Sequence, residues 1–183
     1  MKRTPVLVLA ALFSLLAAPA ASAQGTGGFH LGLAGGATVP QGDAKDVFDT
    51  GWHGGALLVL NFPVLPVGIR ADGSYHRLDA SGDSGGSGDV EILAGTANVV
   101  VGFRALLVKP YVVGGVGYYR LDFSNESFPS AFSGTENETG WNAGAGVSIS
   151  LRKIDLFVEA RYHSVDTEGD RFEFVPISVG LVF

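Results

Sequence analysis

The sequence predicts an all-β fold, an eight-stranded antiparallel up-and-down transmembrane β-barrel, and three observations carry that reading. The chain ends on Val175–Phe183, where Val175, Ile177, Val179, Leu181 and Phe183 share one face and Pro176, Ser178, Gly180 and Val182 the other. Side chains along a strand repeat every two residues, so this segment has a greasy face, a small-residue face and a terminal aromatic suited to a membrane interface. Composition is the second observation: of 183 residues 46% are hydrophobic and only 16% charged, with 27 glycines. A glycine inside a helix costs about 0.5–1 kcal/mol relative to alanine, and past the N-terminal leader no run offers the ~20 apolar residues of a spanning helix. The third is the rhythm of the connections, tight alternating with long or polar, as a barrel with periplasmic turns and extracellular loops requires.

The first strand is expected at Phe29–Val39, with Phe29, Leu31 and Leu33 opposing His30, Gly32 and Ala34. The second, Trp52–Phe62, puts Trp52, Ala56, Leu58, Leu60 and Phe62 on one face. In the third, Val67–Arg77, the residues Val67, Ile69, Ala71 and Tyr75 oppose Gly68, Arg70, Asp72, Ser74 and His76. The fourth, Val90–Arg104, sets Ala97, Val99, Val101 and Phe103 against Thr96, Asn98 and Arg104. Pro110–Phe123, Trp141–Leu151, Asp155–Val165 and Phe172–Phe183 complete the set. Each has the roughly 9–11 residues that cross a bilayer as a tilted strand. Pro63–Pro66, Ala105–Val108 and Arg152–Ile154 form the tight turns; Pro40–Thr50, Leu78–Asp89, Ser124–Gly140 and Asp166–Arg171 form the loops. Fifteen of the 18 acids lie in or beside those loops, whereas Arg104, Lys109, Arg152 and Lys153 gather at the turns. Pro176, which cannot donate to a ladder, is expected near the loop end of its strand, where a bulge is tolerable.

The N-terminus reads as an export signal. Lys2 and Arg3 precede an apolar stretch from Val6 to Ala18 and an Ala21-Ser22-Ala23 cleavage site. Cleavage after Ala23 divides the chain into a signal peptide, 1–23, and one barrel domain, 24–183. The whole chain carries a net charge of −6, and loss of Lys2 and Arg3 makes it more acidic, which excludes nucleic acid as a partner. Zero cysteines exclude disulfides, thiolate chemistry and a lipid-modified N-terminal cysteine. No cofactor is expected.

Inside hydrocarbon every backbone N–H and C=O must be paired within the protein, so the sheet must close. Leu, Val, Ile and Ala then face lipid, and Phe29, Trp52, Phe62, Tyr75, Phe103, Tyr111, Trp141, Tyr162 and Phe183 fall near strand ends as interfacial aromatics. The polar strand residues share phase with Gly and Ser and face the lumen. Arg70 and Asp72 on the third strand stand at heights similar to Glu159 and Arg161 on the seventh, roughly opposite. A lumen network of these four is expected, with Asn98, Arg120 and His163 nearby, because buried charges require pairing. Such a network serves as a plug filling a narrow barrel; a gated conduit is its alternative. Asp79, Asp83 and Asp89 supply oxygens in a Gly- and Ser-rich loop, but their spacing does not match an EF-hand, and a solvated loop is the expectation.

The stretches Lys109-Pro-Tyr-Val-Val-Gly-Gly-Val-Gly-Tyr118, Trp141-Asn-Ala-Gly-Ala-Gly-Val147, Phe157-Val-Glu-Ala-Arg-Tyr-His163 and Val175–Phe183, in that order, resemble the small outer-membrane β-barrel domain proteins related to OmpA and OmpX within the porin-like superfamily. The resemblance implies an eight-stranded barrel inserted by the outer-membrane assembly machinery, which reads the terminal Phe183, and surrounded by outer-membrane lipid or lipopolysaccharide. It does not imply one activity. His163-Ser164 is similar to the His-x-Ser pair of outer-membrane lipid A deacylases, which are also small barrels. Here the two residues are adjacent, so their side chains face opposite sides of the strand and cannot act together. The expectation is therefore a non-enzymatic, monomeric outer-membrane barrel with acidic extracellular loops and a side-chain-plugged lumen. A narrow porin-like conduit for solutes or lipids is the alternative, and a lipid A-modifying enzyme a remote one.

Overall fold

The computed structural model describes residues 28–62, 65–79, 88–103, 108–125, 135–151, 154–167 and 170–183. The expected signal peptide, Asp83, Arg104, Arg152 and Lys153 lie outside the described residues. Eight strands run β1 (Phe29–Gln41), β2 (Gly51–Asn61), β3 (Val67–Asp79), β4 (Gly88–Gly102), β5 (Val108–Asn125), β6 (Thr135–Leu151), β7 (Ile154–Thr167) and β8 (Asp170–Val182), with a short 3-10 turn at Gly42–Asp46. Every neighbouring pair is antiparallel, and β1 pairs with β8, so the sheet closes in sequence order.

Phe183 completes the seam: its N–H donates to the Leu31 carbonyl at 2.8 Å, and Leu31 N–H donates back at 3.1 Å. Following the rungs from Leu31 through Leu58, Ala71, Ala97, Val116, Trp141, Ser164 and Glu173 leads back to Gln41, ten residues above the start. That stagger goes with strands tilted by roughly 35–45° and an interior only wide enough for side chains. Pro176 departs from expectation. It sits at the middle of β8, paired with Thr38 on β1. The β7–β8 ladder skips between Ala160–Ile177 and His163–Phe174 but resumes in the same register, so the missing N–H costs rungs without inserting a bulge.

Lipid-facing phases follow the alternation of the sequence. Leu31, Leu33, Leu58, Ile69, Val99, Val112, Val147, Ile177 and Leu181 are exposed on the outer surface, which would be an aggregation liability in water and is the solution in a bilayer. Trp52 lies against Tyr75 with centroids 5.6 Å apart, and Trp141 against Tyr162 at 5.5 Å, at the loop end of this apolar belt. Phe62, Phe103 and Phe183 stand exposed at the turn end.

Several strands continue past the belt. β5 and β6 pair up to Asp122–Thr135, and β7 and β8 up to Thr167–Asp170, beyond the expected strand ends. In these extensions polarity reverses. Arg77, Glu91, Arg120 and Arg171 point out into water, while Leu78, Val90, Ile92, Leu121, Val165, Phe172 and Phe174 pack together inside. The 3-10 turn lays Ala44 and Phe48 over this core, with Phe48 edge-on to Phe172 at 6.0 Å, and Asp49 N–H ties the turn to the Asp79 carbonyl.

The inward glycines act as sockets. A Cβ at Gly146 would lie 2.5 Å from the Tyr111 ring, and one at Gly180 2.4 Å from Phe157. At the closing seam, a Cβ on Gly36 would meet the Ile177 carbonyl oxygen at 1.9 Å, whereas lipid-facing Gly95 has nothing within 4 Å. Gly36→Val is therefore expected to abolish the heat-modifiable compact band on electrophoresis, and Gly95→Val to retain it. Equal behaviour of the two variants would contradict this packing.

Candidate functional site

The lumen is filled in layers, each placed by inward-facing positions of several strands. At mid-height β3 contributes Arg70 and Asp72, β7 Glu159 and Arg161, and β4 Asn98. Arg70 donates through Nη1 to Glu159 Oε2 at 2.9 Å and through Nη2 to Oε1 at 2.8 Å, a two-pronged pair. Its Nε donates to Asp72 at 3.1 Å. Arg161 donates from Nε to Glu159 at 3.0 Å, from Nη2 to Glu159 as well, and reaches Asp72 at 3.4 Å. Asn98 Nδ2 donates to Asp72 at 2.7 Å and to Thr96. Two carboxylates thus share two guanidiniums, and the bidentate, charge-assisted geometry is the strong form of such pairing.

His163 is one layer higher. Its Nδ1 is 2.8 Å from the Tyr119 hydroxyl, and its ring stacks on Phe174 at 4.8 Å. Sequence reading missed the rest of this layer. Thr38 Oγ1 stands between His53 Nδ1 at 3.0 Å and His76 Nδ1 at 2.9 Å, so the hydroxyl donates to one imidazole and accepts from the other. His53 Nε2 reaches Ser178 at 2.9 Å, and His76 Nε2 reaches Ser74 at 2.9 Å. The result is one continuous hydrogen-bonded chain, Ser178–His53–Thr38–His76–Ser74, along the inner wall of the adjoining strands β8, β1, β2 and β3. The available signal was that His53 and His76 occupy inward phases; their rung pairing needed the register.

Two expected placements are corrected. Arg120 is not in the lumen: its side chain is 52% exposed on the outer face and pairs with Asp122 at 3.3 Å. It lies beyond the belt, where charge belongs outside. Tyr111 is not interfacial but only 9% exposed, inside with Leu57, Val113 and Phe157 in an apolar ring below the charged layer. The void left by Gly146 accepts its ring. His163 and Ser164 do not form a catalytic pair: His163 is held by Tyr119, while Ser164, on the opposite phase, is rung-paired with Trp141 and Glu173. Among the described residues, no group of three or more His, Cys, Asp or Glu is arranged to hold a metal ion.

The profile of the outer membrane protein beta-barrel domain matches residues 8–183. The chain belongs to that family. Its members are bacterial outer-membrane barrels, and this barrel is accordingly one of the outer membrane. Its fold is similar to that of neisserial surface protein A, with a TM-score of 0.62 at 15% identity over 84% of this chain and 95% of that one. It is also similar to OprG from Pseudomonas aeruginosa, with 0.55 at 17% over 87% and 98%. The N-terminal β-barrel domain of OprF from the same organism gives 0.51 at 15% over 86% and 99%. No curated protein matches the chain.

For this outer-membrane barrel the charged layer yields a direct expectation. Removing one partner of a buried ion network leaves the others uncompensated, at about 3–5 kcal/mol. Glu159→Ala, which strands both Arg70 and Arg161, should lower the urea midpoint of folding in lipid vesicles by an amount corresponding to that range. The double variant Arg70→Met/Glu159→Met should recover much of the loss. A midpoint for Glu159→Ala equal to that of the native protein would dismiss the network.

Proposed function

We propose that this is a non-enzymatic, non-conducting outer-membrane barrel that seals its own lumen and does its work at the loop face. The observation that carries the reading is the succession of side-chain layers. An apolar cap, a histidine–hydroxyl layer, the Arg–Glu–Asp network and the Leu57–Tyr111–Val113–Phe157 ring follow one another along the lumen and fill it with side chains. A pore would need an open polar lumen, whereas an eight-stranded barrel has an interior just wide enough to be filled.

Above the membrane the outward surface supports an interaction role. Arg77 is ringed by Asp79, Asp89 and Glu91 at 3.3–3.8 Å, Arg120 pairs with Asp122, and Arg171 with Asp166. These mixed charges stand just beyond Trp52, Tyr75, Tyr118, Trp141 and Tyr162, at the height of lipid headgroups. On this reading the girdle meets outer-membrane lipid or lipopolysaccharide, with acyl chains against the belt. The tight turns face the periplasm, the acidic loops face outward, and the assembly machinery grips the last strand through Phe183. The barrel acts as a monomer.

Planar-bilayer recording tests the sealed lumen. The purified protein should give no stable current steps at low voltage. Reproducible steps that vanish when the protein is heat-unfolded would establish the narrow conduit instead. Altered lipid A mass on expression would establish the enzyme.

A further inference from the structure

Between the histidine–hydroxyl layer and the charged layer the side chains leave a small chamber of about 40 Å³. A buried water molecule needs about 10–15 Å³ of such space and two to four polar partners, so there is room for roughly three. Volume alone does not make a cavity wet, since apolar cavities stay dry. Here the lining is polar. His53, His76 and His163 bound the chamber on the loop side, and Arg70, Asp72, Glu159 and Arg161 on the turn side. Ser74 and Ser178 stand between these layers, Ser74 lying on β3 between Asp72 and His76.

Hydrogen bonds to Tyr119, Glu159 and Asp72 engage Nδ1 of His163 and Nε and Nη2 of Arg161. They leave His163 Nε2 and the Nη1 hydrogens of Arg161 for whatever fills the space. A buried guanidinium N–H without an acceptor is costly, so the occupant must accept hydrogen bonds. It must also carry no charge. An anion would face Asp72 and Glu159, and a cation Arg70 and Arg161, each in a medium that screens poorly. A small neutral molecule that both donates and accepts meets every one of these groups without conflict. We propose that this chamber is a structural water site. Its few molecules accept from Arg161 Nη1, bond to His163 Nε2 and reach the Ser74 and Ser178 hydroxyls, and so join the two side-chain layers into one hydrogen-bonded body. The site needs only these two layers; neither the conductance of the barrel nor its loop contacts enters it.

The native barrel, labelled with 15N-arginine and 15N-histidine and held in detergent micelles at neutral pH, tests this directly. Rotating-frame Overhauser cross-peaks should connect water with the Arg161 guanidinium and His163 ring protons. Their sign should be opposite to the diagonal, which proton exchange cannot produce. Ala34 lines the chamber and lies on the rung that leads through Gly55 to Ser74. Ala34→Val puts methyl groups where the water stands, so it should remove most of that signal and lower the urea midpoint in lipid vesicles. Ala97→Val, on the lipid face of β4, should change neither. Resolved Arg161 and His163 signals without a water cross-peak in the native barrel would overturn the site. A raised midpoint for Ala34→Val would overturn it too, since filling a dry cavity with methyl groups stabilises and displacing bonded water does not.

Discussion

The obligation to pair every backbone N–H and C=O in a medium that offers no water fixes the rest of this molecule. A sheet meets it only by closing, and closure with eight strands and a ten-residue stagger leaves a bore that backbone geometry alone dictates. The terminal residue is part of that solution, since Phe183 exchanges two hydrogen bonds with Leu31 at the seam. Once the bore is fixed, its contents are a packing problem. Inward glycines and inward rings solve it jointly: Gly146 receives Tyr111, Gly180 receives Phe157, and Gly117 lies against Tyr119. These inward glycines mark the volume that large lumen side chains need.

The same strands then serve two solvents. Along β5, Val112, Val116 and Tyr118 face lipid while Tyr111 and Val113 face inward; two residues beyond Tyr118 the outward position is Arg120, and the inward one is Leu121. β3 does likewise, with Ile69 outward in the belt and Arg77 outward above it, where Leu78 is fully buried. The phase never changes, but the side that prefers apolar atoms does. Above the aromatic girdle the barrel is folded like a water-soluble one, with its own core under the Gly42–Asp46 turn. That core and the charged layer beneath it are held by different forces: the first by burial, the second by pairing.

This reversal explains what was legible in the sequence and what was not. Period-two alternation is insensitive to solvent, so strand number, order and facing were readable throughout the belt, as were Arg70, Asp72, Glu159 and Arg161 as a facing set. Arg120 was misassigned because a rule that is right in hydrocarbon was carried past its boundary. Tyr111 was misassigned because an aromatic near a strand end is ordinarily interfacial, and only the register places Gly146 opposite it. Thr135–Gly140 reads as polar loop because half of its ladder stands in water, yet it pairs with β5 as far as Asp122. The His53–Thr38–His76 chain depends on three strands meeting at one height, which single-strand patterns do not encode.

A buried ion network is weak evidence of stability, since apolar replacements of similar volume are often as good. Its value here lies in register. A one-residue slip of any strand turns every side chain to the other face. Many of the neutral lumen residues of this barrel, glycine, serine and threonine, would tolerate that change in lipid at modest cost. Arg70 and Arg161 would not: an arginine on the lipid face near the bilayer midplane costs about 2–4 kcal/mol. The slip would also strand Asp72 and Glu159 without partners. Since the four charges sit on β3 and β7, on opposite sides of the wall, they pin both halves of the barrel at once. Glycine sockets define which rings fit, the girdle defines depth, and the charged layer penalises the alternatives that those two leave open.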